Sequence, residues 1–532
     1  MRTTLLFPVI AFPILLSGIS TAQDPATFTV DKHATYTAAT DGWPYAFLPD
    51  GDGYYLMVGG MTRAPRAFRY DSTGHKGSPR MGIDLSRRAT DISTWRMENG
   101  RIFNVVFSPP LEAEGEGEII WGSVDPLKPE PAEGHPIGTI ANTDKTAPLA
   151  WINSAMKVDG HHAVWIVPHM KKKECASLAV AIVDWITGEF RIQEVSLPKA
   201  VEGLKVLHMA ANEGGDLLIS MLGMDPLLKK DAIASAVPML LGIKADGTTV
   251  FHSMQVTGYT AGCTACRFEP SGQVRCAGFA VNADRSTPAI IHSRFPANSS
   301  QGVQWATEDM DAERARQLAD RARLPKEMED RKPEKFDAKA HSQALGEVLV
   351  RLAPIHLELL EGDSLLFVAE VQVRNEFLGD PTSGTQAGNL RDQLVYAKIP
   401  ATGQARIGVV RKYIVEEGAP GFGDVARTLV MAHQGKLYFF FNDWEKHAFA
   451  AGATPTDRFA RINVATVEGA GVFDPMVHVE GANGPIERTA IQRSTQLDFM
   501  MNGCSIRGAD GSMLIALTKS RSIQWMKVVA LP

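Results

Sequence analysis

The amino-acid sequence predicts an all-β fold, a β-propeller of eight blades with four antiparallel strands each, with seven blades as the alternative count. Three observations predict it. A Gly-containing turn followed by an apolar strand recurs along the chain, a second hairpin follows most copies, and the last copy is one strand short. Four-stranded antiparallel sheets repeated in this way are the blades of a propeller. The predicted organisation is therefore a single propeller domain over residues 23–532.

The repeated unit is clearest in LELLEGDSLLFVAEVQV, which runs from Leu357 to Val373. The residues from Leu365 to Ala369 are apolar on both faces, as expected for a strand covered on two sides. Gly362 and Asp363 are residue types that accept the backbone of a tight hairpin turn. The same turn and strand begin near residues 50, 98, 158, 213, 269, 360, 432 and 509.

The end of the chain predicts how the ring closes. After the strand from Ser512 to Lys519, the remaining segment SRSIQWMKVVALP is long enough for one more strand only. The last unit therefore needs a fourth strand from elsewhere, and FTVDKHATYT, Phe28 to Thr37, is otherwise unassigned. We predict that it pairs with the strand near Ile523 to Val529, so that no sheet edge stays exposed.

Residues 307–345 break the repeat, because they are rich in Ala, Arg, Glu, Asp and Lys. Thr307 is a candidate N-cap, and Pro325 is expected to end the helix. We predict a helical insertion between the fifth and sixth units, solvated and stabilised by pairs such as Asp311 with Arg314. A binding arm is the alternative.

The first 22 residues predict a signal peptide: Arg2 precedes an apolar run, and small residues stand at positions 20–22, before a mature start at Gln23. The apolar run is shorter than the roughly 20 residues of a spanning helix, so we expect a secreted or periplasmic protein rather than one that spans a membrane. An uncleaved anchor is the alternative. Loss of Arg2 takes the formal charge from −6 to −7, which argues against a nucleic-acid partner.

Five cysteines stand at positions 175, 263, 266, 276 and 504. The CTAC sequence from Cys263 lacks the His of a haem-attachment motif, and no spacing fits a metal site, so we predict no cofactor and no metal. Cys266 and Cys276 flank Ser271 symmetrically, which places them opposite one another across a hairpin. A disulfide between them is predicted for an exported protein, with free buried thiols as the alternative.

Three stretches carry a resemblance to other proteins: GDSLLFVAEVQV, which contains Glu370, DQLVYAKIPATGQARIGVVRKYI, and KLYFFFNDWEKH, which contains Asn442 and Asp443. Over about residues 355–450 the chain resembles a set of uncharacterised secreted β-propeller proteins common in Bacteroidetes. Gly408 stands where that set tends to carry Trp, and His447 where Asn is usual. The resemblance implies a propeller fold and export, and it implies no activity.

Candidate ligand-binding residues lie where long loops follow second strands, at residues 223–237, 374–391 and 442–457. Long loops on a rigid scaffold are common functional sites, and these loops are expected on one face of the disc. The polar and aromatic candidates at these strand ends are Glu370, Arg374, Asn375, Asn442, Asp443, Trp444 and His447. The alternative is that Glu370 and Asp443 only satisfy backbone N–H groups of the loops.

Catalytic motifs are largely absent. The sequence contains no GxSxG nucleophile elbow. The segment DWITG, Asp184 to Gly188, matches part of a docking element of quinoprotein propellers, but Ile192 stands in place of its Trp, so we interpret it as a turn between outer strands.

Two functions remain. The favoured one is an exported, non-catalytic propeller that binds a protein or a polysaccharide through the long-loop face. The alternative is a glycan-degrading hydrolase or lyase that uses Glu370, Asp443 and Asp380, since paired carboxylates can serve as acid and base.

Overall fold

The structure is a computed structural model. It describes residues 28–531 outside the segments 38–42, 51–52, 61–62, 72–80, 83–91, 109–114, 127–133, 143–154, 160–161, 172–173, 229–232, 298–302, 320–344, 347, 376–387, 413–414, 417–427, 445–446, 453–472, 492–499, 508–510 and 520–521. The predicted signal peptide lies outside the described residues. Among the residues that are described, no helix has the length and apolar content needed to cross a membrane.

The described strands form seven antiparallel sheets. The first strand, β1 (Phe28–Thr37), belongs to the last sheet. The first and second sheets contain β2 (Trp43–Asp50), β3 (Gly53–Gly60), β4 (Arg63–Tyr70) and β5 (Met81–Gly82), then β6 (Ile92–Glu98), β7 (Arg101–Ser108), β8 (Gly115–Val124) and β9 (His135–Asn142). The third sheet contains β10 (Ala155–Asp159), β11 (His162–Lys171), β12 (Glu174–Asp184), β13 (Phe190–Ala211), β14 (Leu217–Met224), β15 (Ala236–Ile243) and β16 (Thr249–His252).

The second half of the chain completes the ring. The fourth sheet contains β17 (Tyr259–Phe268), β18 (Gln273–Asn282), β19 (Pro288–Pro296) and β20 (Ala306–Asp309). The fifth contains β21 (Leu352–Leu360), β22 (Ser364–Asn375), β23 (Gly388–Ile399), β24 (Arg406–Val410) and the short β25 (Val415–Glu416). The sixth contains β26 (Leu429–His433), β27 (Lys436–Trp444), β28 (Phe473–Gly481) and β29 (Gly484–Ala490), and the seventh contains β30 (Met500–Arg507), β31 (Ser512–Lys519), β32 (Ser522–Ala530) and β1.

The propeller therefore has seven blades, the alternative count, and the prediction of eight is wrong. The reason is β13, a single strand of 22 residues. Its first part pairs with β12 and its last part pairs with β14, so the third and fourth predicted units share one seven-stranded sheet. The prediction counted the turn-and-strand segments near residues 158 and 213 as separate blades. β13 contains Pro198 and Gly203, and the ladders skip both residues at register shifts, where irregular positions in a strand are tolerated.

The predicted closure of the ring is confirmed. β1 pairs antiparallel with β32, from Phe28 opposite Ala530 to Thr37 opposite Ser522. The order of the seventh sheet is β1-β32-β31-β30, so the first described strand completes the sheet that contains the last one. This pairing covers the edge that β32 would otherwise present to another chain.

The predicted hairpin at the fifth sheet is also confirmed. β21 and β22 pair up to Leu360 opposite Ser364, and both Gly362 and Asp363 have a positive φ, of 71° and 58°. The four residues from Leu366 to Ala369 are fully buried. Side chains of β22 alternate between the apolar core shared with the fourth sheet and the core shared with the sixth, which explains why both faces of this strand are apolar.

The DWITG segment forms the predicted turn between β12 and β13. The Asp184 carboxylate accepts hydrogen bonds from the backbone N–H groups of Ile186 and Thr187, at 2.9 and 2.7 Å. A Trp does pack on this turn, but it comes from the second sheet. Trp121 donates its indole N–H to the Trp185 carbonyl at 2.8 Å, and its ring lies against Gly188. The turn thereby joins two sheets.

The helical insertion over 307–345 is not confirmed. Thr307 lies in β20, which completes the fourth sheet, so the predicted N-cap is wrong. The helix, α1 (Ala312–Ala319), begins later, and Asp311 caps it by accepting the Arg314 backbone N–H at 2.9 Å. The predicted ion pair of Asp311 with Arg314 is present. Residues 320–344 lie outside the described part of the chain.

Cys266 and Cys276 lie directly opposite one another on β17 and β18, and their sulfur atoms are bonded across a Cα separation of 4.0 Å. Cys175 and Cys263 are buried free thiols. Both half-cystines are almost fully buried between the third and fourth sheets, so the bond is shielded from solvent.

We expect the purified protein to gain the mass of two hydrogen atoms per disulfide on reduction under denaturing conditions. A Cys266→Ser variant should lose this mass change and about 2–4 kcal/mol of stability, whereas Cys263→Ser should keep the mass change. Intact-mass spectrometry measures both. A wild-type protein whose cysteines all react with a thiol reagent before reduction would contradict the pairing.

Candidate functional site

Glu370, a predicted ligand-binding residue, lies in β22 and is fully buried. Its carboxylate forms an ion pair with Lys412, whose side chain is also buried. The Thr428 hydroxyl donates to the same carboxylate at 2.9 Å, and the Lys412 ammonium donates to that hydroxyl at 3.1 Å. Glu370 is therefore surrounded by protein groups.

Asp443, the second predicted carboxylate, is fully buried near the end of β27. One oxygen accepts a hydrogen bond from the Arg488 guanidinium at 2.6 Å, and the other lies 3.0 Å from His447 Nδ1. The Arg488 guanidinium also lies over the ring of Phe441, 5.1 Å from its centroid. These contacts join β27 to β29 inside the sixth sheet.

The remaining candidates are placed only in part. Asn442 is buried beside Asp443, and Trp444 ends β27. Arg374 and Asn375 end β22, where they pair with Asn389 and Gly388 of β23. Asp380 and most of the loops at 374–391 and 442–457 lie outside the described residues. Glu370 and Asp443 are both buried, and their side chains form ion pairs with Lys412 and Arg488. These contacts fit a structural role. They are side-chain contacts, whereas the sequence suggested contacts to backbone N–H groups of the loops.

A cleft of about 710 Å³ lies between the fifth and sixth sheets, with α1 along one side. Its walls come from elements far apart in the chain: α1, the segment from Arg406 to Arg411, and the turn from Ala482 to Pro485 between β28 and β29. A hairpin turn thus forms one wall of this cleft.

Four polar side chains are hydrogen-bonded on the floor of the cleft. The Tyr396 hydroxyl donates to one oxygen of the Glu480 carboxylate at 3.1 Å, and His478 Nε2 lies 2.9 Å from the other. Arg406 Nη2 lies 3.3 Å from the Tyr396 oxygen and 3.6 Å from Glu480. Tyr396, His478 and Glu480 are buried, whereas the Arg406 side chain is 30% exposed and reaches into the cleft.

The hydrogen bonds fix the tautomer of His478. Arg488 Nε donates to His478 Nδ1 at 3.2 Å, so Nδ1 is an acceptor and Nε2 carries the proton that is donated to Glu480. Burial lowers the pKa of His478, and the nearby Arg488 charge lowers it further. The imidazole is therefore neutral and leaves Glu480 its negative charge.

Tyr396 is held in its protonated form. Burial raises the pKa of Tyr396 far above its ordinary value, and the negative charge of Glu480 adds to the effect. The Arg406 charge acts in the opposite direction. The floor therefore combines an un-ionised phenol, a carboxylate and an arginine that faces the cleft, which is a set able to donate a proton, accept one and neutralise an anion.

Sequence reasoning missed all four floor residues. Tyr396 and Arg406 lie in DQLVYAKIPATGQARIGVVRKYI, one of the stretches that carry the resemblance, but neither was singled out as a candidate. His478 and Glu480 carried a usable signal, because they occupy alternate positions of an otherwise apolar strand, FDPMVHVEG, and so point to the same face.

No protein-family model matches the chain, and no curated protein matches it. Solved structures that resemble it include a PL25 ulvan lyase bound to -[GlcA(1-4)Rha3S]-, with 11% identity, a TM-score of 0.36 and coverage of 87% of this chain and 97% of that chain. The polysaccharide lyase Uly1 has 8% identity and a TM-score of 0.34 over 93% of this chain and 91% of that chain. The β-propeller domain of the Trilobed protease from Pyrococcus furiosus has 8% identity and a TM-score of 0.30 over 69% of this chain and 95% of that chain.

These similarities are too low to carry an argument about this chain. The strand topology establishes an all-β propeller, as the resemblance in the sequence implied. Export and membership of the Bacteroidetes set, which the same resemblance suggested, are not addressed by the matches.

Proposed function

We propose that the chain is an exported glycan-degrading enzyme, a lyase that cleaves an acidic polysaccharide in the cleft between the fifth and sixth sheets. The observation that carries this proposal is the contact of Tyr396 with both Glu480 and Arg406, at 3.1 and 3.3 Å, on the floor of that cleft. The carboxylates predicted from the sequence, Glu370 and Asp443, take no part in the proposed reaction, because neither lines the cleft.

The cleft suits a short stretch of polymer. Its volume of about 710 Å³ lies within the range of small-molecule sites, roughly 300–1,000 Å³. Arg406 contacts the floor at Tyr396 and Glu480, and its planar guanidinium can bind a carboxylate through two parallel hydrogen bonds. Arg314 and Arg411 also line the cleft, but Arg314 is paired with Asp311, so Arg406 is the arginine to which the proposal assigns an anionic sugar.

The proposed reaction is a β-elimination next to a sugar carboxylate. Arg406 binds the carboxylate and reduces its negative charge, which acidifies the hydrogen on the adjacent carbon. Glu480 accepts that proton, the bond from the next carbon to the glycosidic oxygen breaks, and a carbon–carbon double bond forms. Tyr396 gives its proton to the departing oxygen, and Glu480 then returns a proton to Tyr396 across their hydrogen bond. The protein groups end the cycle as they began it.

A hydrolase fits the floor less well. Glycoside hydrolysis uses two carboxyl groups about 5–10 Å apart on either side of the bond. Besides Glu480, the described carboxylates that line the cleft are Asp311 and Glu313, and each forms an ion pair with an arginine of α1. The floor therefore offers one carboxylate beside a phenol.

The test uses the mature chain and a panel of acidic and neutral polysaccharides. We expect new ultraviolet absorbance from an unsaturated sugar acid with an acidic polymer only. Tyr396→Phe keeps the ring and removes the proton donor, so kcat should fall by about 10²–10⁴-fold. Tyr438→Phe is the matched control, because Tyr438 is also a buried tyrosine but does not line the cleft.

Other outcomes would replace the proposal. New reducing ends without ultraviolet absorbance would indicate a hydrolase. Binding of an acidic polymer without any product would indicate the non-catalytic propeller favoured from the sequence. Full activity in Tyr396→Phe would remove Tyr396 from the reaction.

A further inference from the structure

We infer that Gly408 is a positioning residue, which places the Tyr396 phenol between Glu480 and Arg406 by leaving room for its ring. The inference deepens the proposed function and depends on it for the reaction that the phenol serves. Gly408 itself has no side chain to touch a substrate, so its effect acts through Tyr396.

The two residues are direct partners in the fifth sheet. Tyr396 of β23 lies opposite Gly408 of β24, and Gly408 is buried beneath the ring. A Cβ atom at position 408 would lie 2.2 Å from Cζ, 2.3 Å from Cε1 and 2.4 Å from the hydroxyl oxygen of Tyr396. Real Cβ atoms essentially never come closer than 3.0 Å to a non-bonded heavy atom of another residue. Any other residue at position 408 therefore requires the phenol to move.

The ring has little freedom to absorb that movement. On its other side Tyr396 packs against Phe439 of the sixth sheet, with ring centroids 5.6 Å apart. Protein interiors are close-packed, so the outer end of the ring would have to shift by about 1 Å or swing out of the interface. Either movement lengthens the hydrogen bonds to Glu480 and Arg406, and a misplacement of about 1 Å can lower a rate by about 10²-fold.

A glycine inside a strand weakens the strand and commonly marks a place where another group approaches closely. At Gly408 that group is the ring of Tyr396. Gly408 and Tyr396 therefore form a matched pair in this chain.

The first experiment measures turnover of the acidic polysaccharide that gives ultraviolet absorbance in the panel test of the proposed function. Gly408→Ala should lower kcat by about 10²-fold while KM changes little, because Arg406 and the cleft walls are kept. Gly346→Ala is the matched control: its added Cβ would meet Ile233 at an ordinary distance of 3.5 Å, and Gly346 is not part of the cleft. Full activity in a folded Gly408→Ala variant would overturn the inference.

The second experiment does not depend on activity. Gly408→Ala should lower the melting temperature of the wild type, and the same change should have little effect in a Tyr396→Leu background, which lacks the atoms that clash. Equal losses in both backgrounds would mean that the two residues are not coupled, and would overturn the inference. If Gly408→Ala alone does not fold, its recovery by Tyr396→Leu supports the pairing. The wild type could form no product while the two substitutions still show coupled effects on the melting temperature. That combination would reject the proposed reaction but keep Gly408 as the residue that positions Tyr396.

Discussion

Asp443→Ala is expected to lower the free energy of unfolding by about 3–5 kcal/mol. The change leaves the Arg488 charge buried without its carboxylate, and removing one partner of a buried ion pair is far more harmful than removing both. Arg488 also donates hydrogen bonds to His478 and to the backbone carbonyl of Arg411, at 3.2 and 2.6 Å. We therefore expect the substitution to disturb the cleft floor as well as the sixth sheet.

Urea denaturation of the purified variant measures this effect. Glu313→Ala is the control, because it removes an exposed ion pair with Arg316 on α1 and should change stability by only about 0.5 kcal/mol or less. The opposite result, an Asp443→Ala variant with wild-type stability that no longer captures a polysaccharide, would restore Asp443 to the ligand-binding role considered from the sequence.

Glu370→Leu should lower the free energy of unfolding by a similar amount, because it leaves the Lys412 charge buried beside Thr428 without the carboxylate. The double variant Glu370→Leu with Lys412→Met should recover most of the loss, because buried ion pairs replaced as a whole by apolar residues are often as stable as the original. The two single variants and the double variant form a thermodynamic cycle. If the loss of stability in the double variant equals the sum of the losses in the two single variants, the pair contributes little coupling energy.

The sequence predicts the fold well because the signals of a propeller are local. The turn at Gly362 and Asp363, the two-sided apolar strand after it and the missing fourth strand of the last unit all lie within short segments, and the structure has each of them. The predicted number of blades is wrong because the segments near residues 158 and 213 each carry the local turn-and-strand signal of a unit. Only the ladders on either side of β13 show that one long strand joins them in a single sheet.

The candidate site could not be predicted in the same way, because its contacts join distant parts of the chain. Tyr396 and Glu480 are 84 residues apart, Asp443 and Arg488 are 45 apart, and Glu370 and Lys412 are 42 apart. No short motif spans such distances. A carboxylate at a strand end looks the same in the sequence whether it faces a ligand or a buried arginine.

The pairing of β1 with β32 has a consequence for the order in which the chain can fold. Nearly the whole chain separates these two strands, so the ring cannot close until the last strand has been synthesised and both ends are together. Contacts of such long range are slow to form, and until then β32 presents an unpaired edge that can join another molecule. Nascent chains are therefore the form most exposed to aggregation.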